Sequence, residues 1–562
     1  MRARSTFPAL VQAARPAALP ARAFWKVPAI WREGAILLAG IVLFSAALAP
    51  RLRESGTPPG WDQAVHLRDS VVFERILRDP SAVTGGALRS ILGGSERYPL
   101  LTPSGYYPPL VPGVTALLYL VGGRSYETAM VTNLLFLALL IVSVWGLGNR
   151  LFGRPAGVLA GLLLLAAPGI RSNAGEYMLD LPLTALVIAS VWLLLSTGRF
   201  SARGRSLAFG ALCGAGMLAK WSFFLFLAAP VMMALLAGLR EAHDGQSRRE
   251  RWMNLGWAIG AAAAVMAPYY APILPILVRK TVVHAGGAAD GFASPFSFAS
   301  LAFHLEALPR RLMGWPLTLS VLGGLILFPW RRREARGAGV FLALWAASVY
   351  ILFTFAVANK QSRYLLPWLP VLVLLGARGI VELWRRRSGP KKWSAAAGAL
   401  LLVTLPTAGL GGGWKPESEG NWRIDEIARR LRSDLAPLSG DGRTAWKLGV
   451  IPDMRRVNGP TVAYYVARRD LPVTVVQLVN RMKRHVAMEV GLDPFDRRDF
   501  YQSFEEYDYL LTKTGENAVP PWEAVVPAMT RYFESRQAEF TRIGVFQEPD
   551  GSTVSLYRRN RG

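Results

Sequence analysis

Cysteine occurs once in the 562 residues and histidine five times. The single Cys213 lies inside an apolar run, which excludes a disulfide framework and a thiolate metal site and leaves it as a small core residue. The histidines are scattered: His243 falls in a basic loop, His485 in the polar C-terminal region, and His284 and His304 stand 20 residues apart, without the spacing of a metal site. Acid is scarce too, since 38 Asp and Glu against 64 Lys and Arg leave a formal charge of +26. That excess would suit nucleic acid, but the basic residues cluster in short runs between apolar segments, which is how positive charge marks cytoplasmic loops. The charge therefore reports topology, and nucleic acid is not expected as a partner. No short-period repeat is evident.

What the chain has in abundance is apolar sequence. Hydrophobic residues make up 52%, and they gather into runs of about 15 to 23 residues, near the length that a bilayer core requires. The expected class is a polytopic α-helical membrane protein. Residues 1–33 form a basic, cytoplasmic N-terminal segment. The run 34–49 ends in Ala-Leu-Ala like a signal-peptide cleavage site, but Pro50 would follow the cut and block it, so a retained first helix is expected. Runs near 130–149, 156–170, 179–197, 206–220, 221–239, 253–275, 312–330, 338–357, 364–383 and 394–411 read as ten more helices.

This gives about eleven spans, alternatively twelve or thirteen. With eleven, Asn149 to Arg154, GRFSARGR, LREAHDGQSRRER, RRREARG and WRRRSGPKK all face inward, as the positive-inside rule expects. PPLVPGVTALLYLVGG from Pro108, with 16 residues and three prolines, must then be interfacial or re-entrant. The transmembrane domain is expected over 34–411, with outward loops at 51–126 and 276–311; GGAADGF in the second loop could make a flexible lid. Residues 412–562 alternate like a soluble α/β domain on the outer side: TAWKLGVIP, LPVTVVQLV, YDYLLTK and STVSLYR read as strands, IDEIARRLRSDL and PPWEAVVPAMTRYFESRQAEF as helices.

The segment GTPPGWDQAVHLRD begins a helix just beyond the first apolar run. Its Pro-Pro-Gly break frees the chain to start one. Asp62, His66 and Asp69 then share a polar stripe at i, i+4 and i+7, beside an apolar stripe of Val65, Val72 and Ile76 suited to a bilayer surface. Each acid alone has a plain reading in helix-dipole stabilisation or a solvated face.

Four short motifs in order change that. Asp62-Gln63-Ala64, Tyr107-Pro108-Pro109-Leu110, Asp180-Leu181-Pro182-Leu183 and Arg363-Tyr364-Leu365-Leu366-Pro367 resemble motifs of the GT-C glycosyltransferases. They are most similar to the lipid-phosphate-dependent branch that includes protein O-mannosyltransferases and the lipid A aminoarabinose transferase. The resemblance covers roughly residues 35 to 410. It implies a GT-C fold and an inverting transfer of a sugar, hexosyl or pentosyl, from a polyprenyl-phosphate carrier such as undecaprenyl phosphate. The acceptor would be a lipid, glycan or protein at the outer face of a bacterial-type inner membrane. It also implies that Asp62 is the catalytic acid of the first outward loop and that Asp180 binds substrate or supports the site.

Relatives often place a second acid where this chain has Gln63, and some place a charged residue where it has Tyr107. Two adjacent hard oxygen ligands are what a divalent cation would want, so a metal is disfavoured and no metal ligand is assigned. The chemistry asks for a base at the acceptor hydroxyl, for which Asp62 is the candidate, and for cations at the departing phosphate. Lys220, Arg279, Lys280, Lys360 and Arg363 stand at expected outward helix ends, where charge at a membrane edge points to function, with snorkelling as the plain alternative. Arg363 is favoured, because a guanidinium suits bidentate phosphate binding. His66, Asp69, Tyr106, Tyr107, Glu176 and Asp180 complete the substrate-binding or supporting set; the tyrosines could stack on a sugar or anchor at the interface. The competing readings are a transporter or lipid flippase, which would want ionisable groups at mid-helix and paired broken segments, or a transferase of a non-sugar group from the same kind of carrier.

Overall fold

A computed structural model of the chain describes residues 27–54, 58–80, 107–242, 245–285, 296–357, 360–386, 420–437, 446–479, 503–518 and 525–560. The expected helix at 394–411, Tyr106, His243, His485 and the GGAADGF centre of the second loop lie outside them. The described residues fall into two compact units. One lies within Met1–Pro50, Pro108–Val111 and Met130–Lys415, the other within Arg51–Tyr107, Pro112–Ala129 and Pro416–Gly562. The second unit thus combines the stretch after the first apolar run with the C-terminal region.

The helices before residue 387 are α1 (Val27–Glu54), α2 (Trp61–Arg78), α3 (Leu110–Gly122), α4 (Tyr126–Phe152), α5 (Arg154–Leu165), α6 (Pro168–Gly175), α7 (Asp180–Ser196), α8 (Arg203–Ala219), α9 (Phe223–Glu241), α10 (Gly245–Ala285), α11 (Phe298–Ala307), α12 (Gly314–Leu327), α13 (Arg333–Phe355) and α14 (Trp368–Arg386). By length and composition five of the described helices can cross a membrane: α1, α4, α9, α10 and α13. The bent pair α5 and α6 would make a sixth. α3, α7 and α12 are apolar but shorter; α7, with 17 residues, would rise only about 25 Å at 1.5 Å per residue.

Two elements depart from the sequence reading. The expected single helix over 156–170 is broken, because Pro168 lacks the N–H that would continue the ladder and its ring crowds the preceding turn; α5 and α6 meet at 59°. α10 begins at Gly245, inside the stretch expected to be an inward loop, because GQSRRERW is rich in good helix formers.

Close packing in the helical unit runs through glycine. A Cβ added at Gly379 of α14 would stand 1.7 Å from the Gly324 carbonyl oxygen of α12, and one at Gly210 of α8 would stand 2.0 Å from the Ala258 carbonyl oxygen of α10. Backbones approach closely where lipid supplies no hydrophobic drive between helices. At the other end of the chain, Glu33 of α1 accepts from Trp145 Nε1 at 3.1 Å and lies 3.6 Å from Arg154 Nε.

The other unit is built on a five-stranded sheet. Its elements are α15 (Ile424–Leu435), β1 (Trp446–Val450), α16 (Gly459–Arg468), β2 (Val473–Gln477), β3 (Tyr509–Lys513), α17 (Val525–Ser535), β4 (Phe540–Gln547) and β5 (Thr553–Arg559). The strand order is β2-β1-β3-β5-β4. β1 pairs parallel with both β2 and β3, while β5 is antiparallel to β3 and β4. One face buries α15 and α16 through Ile427, Leu431, Val462 and Val466 against Leu448, Val450 and Leu556. The other face collects Leu510, Tyr557, Met529 and Phe533. The sequence QAEF, expected to end a helix, turns instead into β4 at Phe540.

α2 also belongs to this unit, where it packs on α16. Val72 is buried and Val65 and Ile76 are half-buried, so the apolar stripe expected to lie on lipid is largely covered by protein. Glu74, 1% exposed, is bound by Arg124 Nη2 at 2.7 Å, and Arg124 reaches on to Asp470 at 2.7 Å. The neighbouring Arg75 pairs with Asp470 at 2.5 Å.

Candidate active site

Asp62 sits in the first turn of α2, after Gly60 at the N-cap, whose extended backbone offers no capping side chain. A carboxylate there is favoured by the exposed N–H groups of the helix start. Tyr107 donates its hydroxyl to Asp62 Oδ1 at 3.2 Å. The ring of His66, one turn along, meets Tyr107 edge-on with centroids 4.4 Å apart. Tyr107, expected in the substrate-binding or supporting set, thus contacts both Asp62 and His66. His66 and Asp69 are each 1% exposed, so the plain alternative of a solvated face does not apply to them. Arg68 reaches Asp69 at 3.4 Å, and Ser70 donates to the His66 carbonyl.

The helical unit assembles a second group of expected residues. Asp180, 1% exposed, opens α7. Lys220, just past the end of α8, donates its Nζ to Asp180 Oδ1 at 2.6 Å. Arg363 Nε lies 3.9 Å from Asp180 Oδ2. Arg363 also donates to Gln361 Oε1 at 2.7 Å and touches Met178 Sδ at 3.5 Å, while the Lys220 ammonium stands 5.0 Å from the Tyr364 ring centre. Asp180 thus stands between two cations, Lys220 and Arg363.

Lys360, expected in the phosphate set, donates its Nζ to the carbonyls of Phe353 and Thr354 at the end of α13, and burial lowers its pKa. His304, buried beside it, is pushed down to about 4 by burial and by the Lys360 charge, against the opposing pull of the Phe353 backbone carbonyl. Arg279 and Lys280 lie in the last part of α10, with side chains outside the described set. Glu176 follows α6 and contributes its carbonyl, which accepts from Asn133 at 2.7 Å.

Asn133 went unnoticed in the sequence. From α4 its Nδ2 also reaches the carbonyls of Asn173 and Ala174, both at 3.3 Å, so one amide satisfies the open end of α6 just before Asp180. An Asn within an otherwise apolar helix is the signal that would have found it. Among the described residues no three His, Cys, Asp or Glu come together as a metal site.

Known proteins resemble this chain. A family model for dolichyl-phosphate-mannose-protein mannosyltransferases matches residues 107–270. The undecaprenyl phosphate-alpha-4-amino-4-deoxy-L-arabinose arabinosyl transferase of Edwardsiella ictaluri (strain 93-146) is 26% identical over 253 residues, spanning 42% of this chain and 42% of that protein. ArnT from Cupriavidus metallidurans, crystallised bound to undecaprenyl phosphate, superposes with a TM-score of 0.55 at 16% identity, covering 92% of this chain and 97% of that one. The chain has the GT-C fold. A second GT-C structure, the archaeal oligosaccharyltransferase AglB from Archaeoglobus fulgidus with an inhibitory peptide and a dolichol-phosphate, superposes with a TM-score of 0.51 at 12% identity, covering 94% and 74%. Both GT-C superpositions extend beyond residue 270, where the family model stops.

Proposed function

We propose that this GT-C protein is an inverting glycosyltransferase that moves a hexose or pentose from a polyprenyl-phosphate carrier to a hydroxyl of a lipid, glycan or protein. Asp62 is the base. It takes the acceptor's proton as the acceptor oxygen attacks the anomeric carbon; the bond from that carbon to the phosphate oxygen breaks, and polyprenyl phosphate departs. A phosphate leaves without a paired acid, unlike the alcohol leaving group of a glycosidase. Arg363 and Lys220 are the cations assigned to the developing phosphate charge. Names of similar proteins support the donor class: one carries undecaprenyl phosphate in its name, another binds it in a crystal.

Under the same reading the chain crosses the membrane eleven times, with its arginine-rich loops in the cytoplasm and both Asp62 and the sheet domain on the periplasmic or extracellular side. The observation that carries the reading is Asp62 itself: a carboxylate on the helix that follows α1, oriented by Tyr107. The test is transfer by purified protein from polyprenyl-phosphate sugars to candidate acceptors. Asp62→Asn is expected to lower kcat by about 100-fold or more. Transfer by that variant at the wild-type rate would remove Asp62 from the mechanism.

A further inference from the structure

The parallel half of the sheet has a feature that the transfer reaction does not use directly. β1 lies between β2 and β3, so the chain leaves β1 toward one side and returns to β3 on the other. In open α/β sheets the carboxyl ends of the strands at such a reversal are where ligands are bound. Here Asp453 follows β1 and Ala518 follows β3, and the two are joined as an isolated parallel bridge.

That place is occupied by the chain itself. Trp61, the residue before Asp62, donates its indole Nε1 to Asp453 Oδ1 at 2.9 Å. Thr461 Oγ1 donates to the Pro59 carbonyl at 2.9 Å and Arg456 Nη1 to the Pro58 carbonyl at 2.9 Å. A Cβ added at Gly60 would stand 3.1 Å from the Arg455 carbonyl oxygen. Pro58, Pro59 and Trp61 are thus held by the loop after β1 and the first turn of α16, and Gly60 leaves room for the close approach. The loop is itself fixed: the Asp453 N–H donates to the Asn517 carbonyl, Asn458 caps α16 by accepting from the Thr461 N–H, and Gln477 Nε2 donates to the Pro452 carbonyl at 3.0 Å.

We propose that the α/β domain is a positioning module for Asp62: the loop 453–458 and the first turn of α16, at the ligand-binding end of its parallel strands, grip the Pro58–Trp61 segment and set the direction of the carboxylate. Asp453, Thr461 and Arg456 are positioning residues. The proposal rests on the assignment of Asp62 as base, and a 1 Å displacement of such a group is enough to cost about 100-fold in rate.

The test uses Trp61→Phe, which keeps the ring and deletes the donor, and Thr461→Val, in the full-length protein, each alone and combined with Asp62→Asn. Two quantities are read: kcat and KM for the polyprenyl-phosphate sugar, and amide hydrogen exchange of peptides covering 58–70. Expected are faster exchange in that segment and a kcat lowered about tenfold or more with KM unchanged. Neither substitution should add to the loss already caused by Asp62→Asn, because groups acting as a unit are not additive. Faster exchange with unchanged kcat overturns the positioning role, as does a loss that adds fully to that of Asp62→Asn. A wild-type protein that transfers no sugar overturns the reading of the function instead, and in that case the exchange data still report whether the loop holds the helix.

Discussion

Asp62 is one of the few acids in a basic chain, and its surroundings specify what its neighbours should do. Tyr107→Phe deletes one donor to a carboxylate, worth about 1.5–3 kcal/mol when the partner is charged. Transfer should fall by roughly tenfold with the fold intact, as read by steady-state kinetics. In the α/β domain Glu548 is buried, accepts from the Arg423 N–H and is pushed up to about 7 by burial, with Asp550 adding to the rise and Arg423 and Lys513 opposing it. A carboxyl whose folded pKa stands above its ordinary 4.5 favours the folded state most below that lower value, and the benefit is lost as pH rises through about 7. Glu548→Gln should therefore stabilise the protein at pH 8, by at most about 3 kcal/mol, and change little at pH 4; thermal melts at the two pH values decide. The acids and cations were legible as residue types at spacings. Which cation serves which partner was not: Lys220 and Lys360 look alike in sequence, yet one meets Asp180 and the other caps α13.

Among the elements, the apolar runs marked the positions of the helices well, because burial in lipid and helix periodicity leave the same trace. Breaks were harder. Pro168 could have announced the α5 and α6 bend, but a proline in an apolar run is common enough in membrane helices that run length dominated the reading. The glycine contacts were invisible too, since a glycine's importance depends on what crosses it. Gly379→Ala should push α12 and α14 apart, costing about 1–3 kcal/mol and lowering the melting temperature in detergent, whereas Gly256→Ala, where nothing lies within 4 Å of the added carbon, should be neutral or stabilising. In the sheet domain four of five strands were plain from alternation, while β4 was hidden by a helix-like run leading into Phe540.

For the whole molecule, the uneven charge remains the best guide to orientation. With Cys213 replaced by Ser, a cysteine at Glu534 should react with an impermeant reagent from outside the cell, and one at Arg249 only after the membrane is opened. Labelling of Glu534→Cys from the cytoplasm alone would reverse the topology.

The Lys220–Asp180 pair also bears on how the protein is made. The partners are 40 residues apart, at the start of α7 and just past the end of α8, so the ribosome delivers the acid to the translocon before its counter-ion exists. A lone charge costs about 3 kcal/mol at the centre of an inserting helix and less at its end, where Asp180 stands; the pairing adds a modest preference for release of α7 and α8 into the bilayer as a hairpin instead of one at a time. Lys220→Met should accordingly appear first as a shortage of correctly inserted protein, measurable as membrane abundance during a pulse-chase, before any change in turnover is seen in the molecules that do assemble.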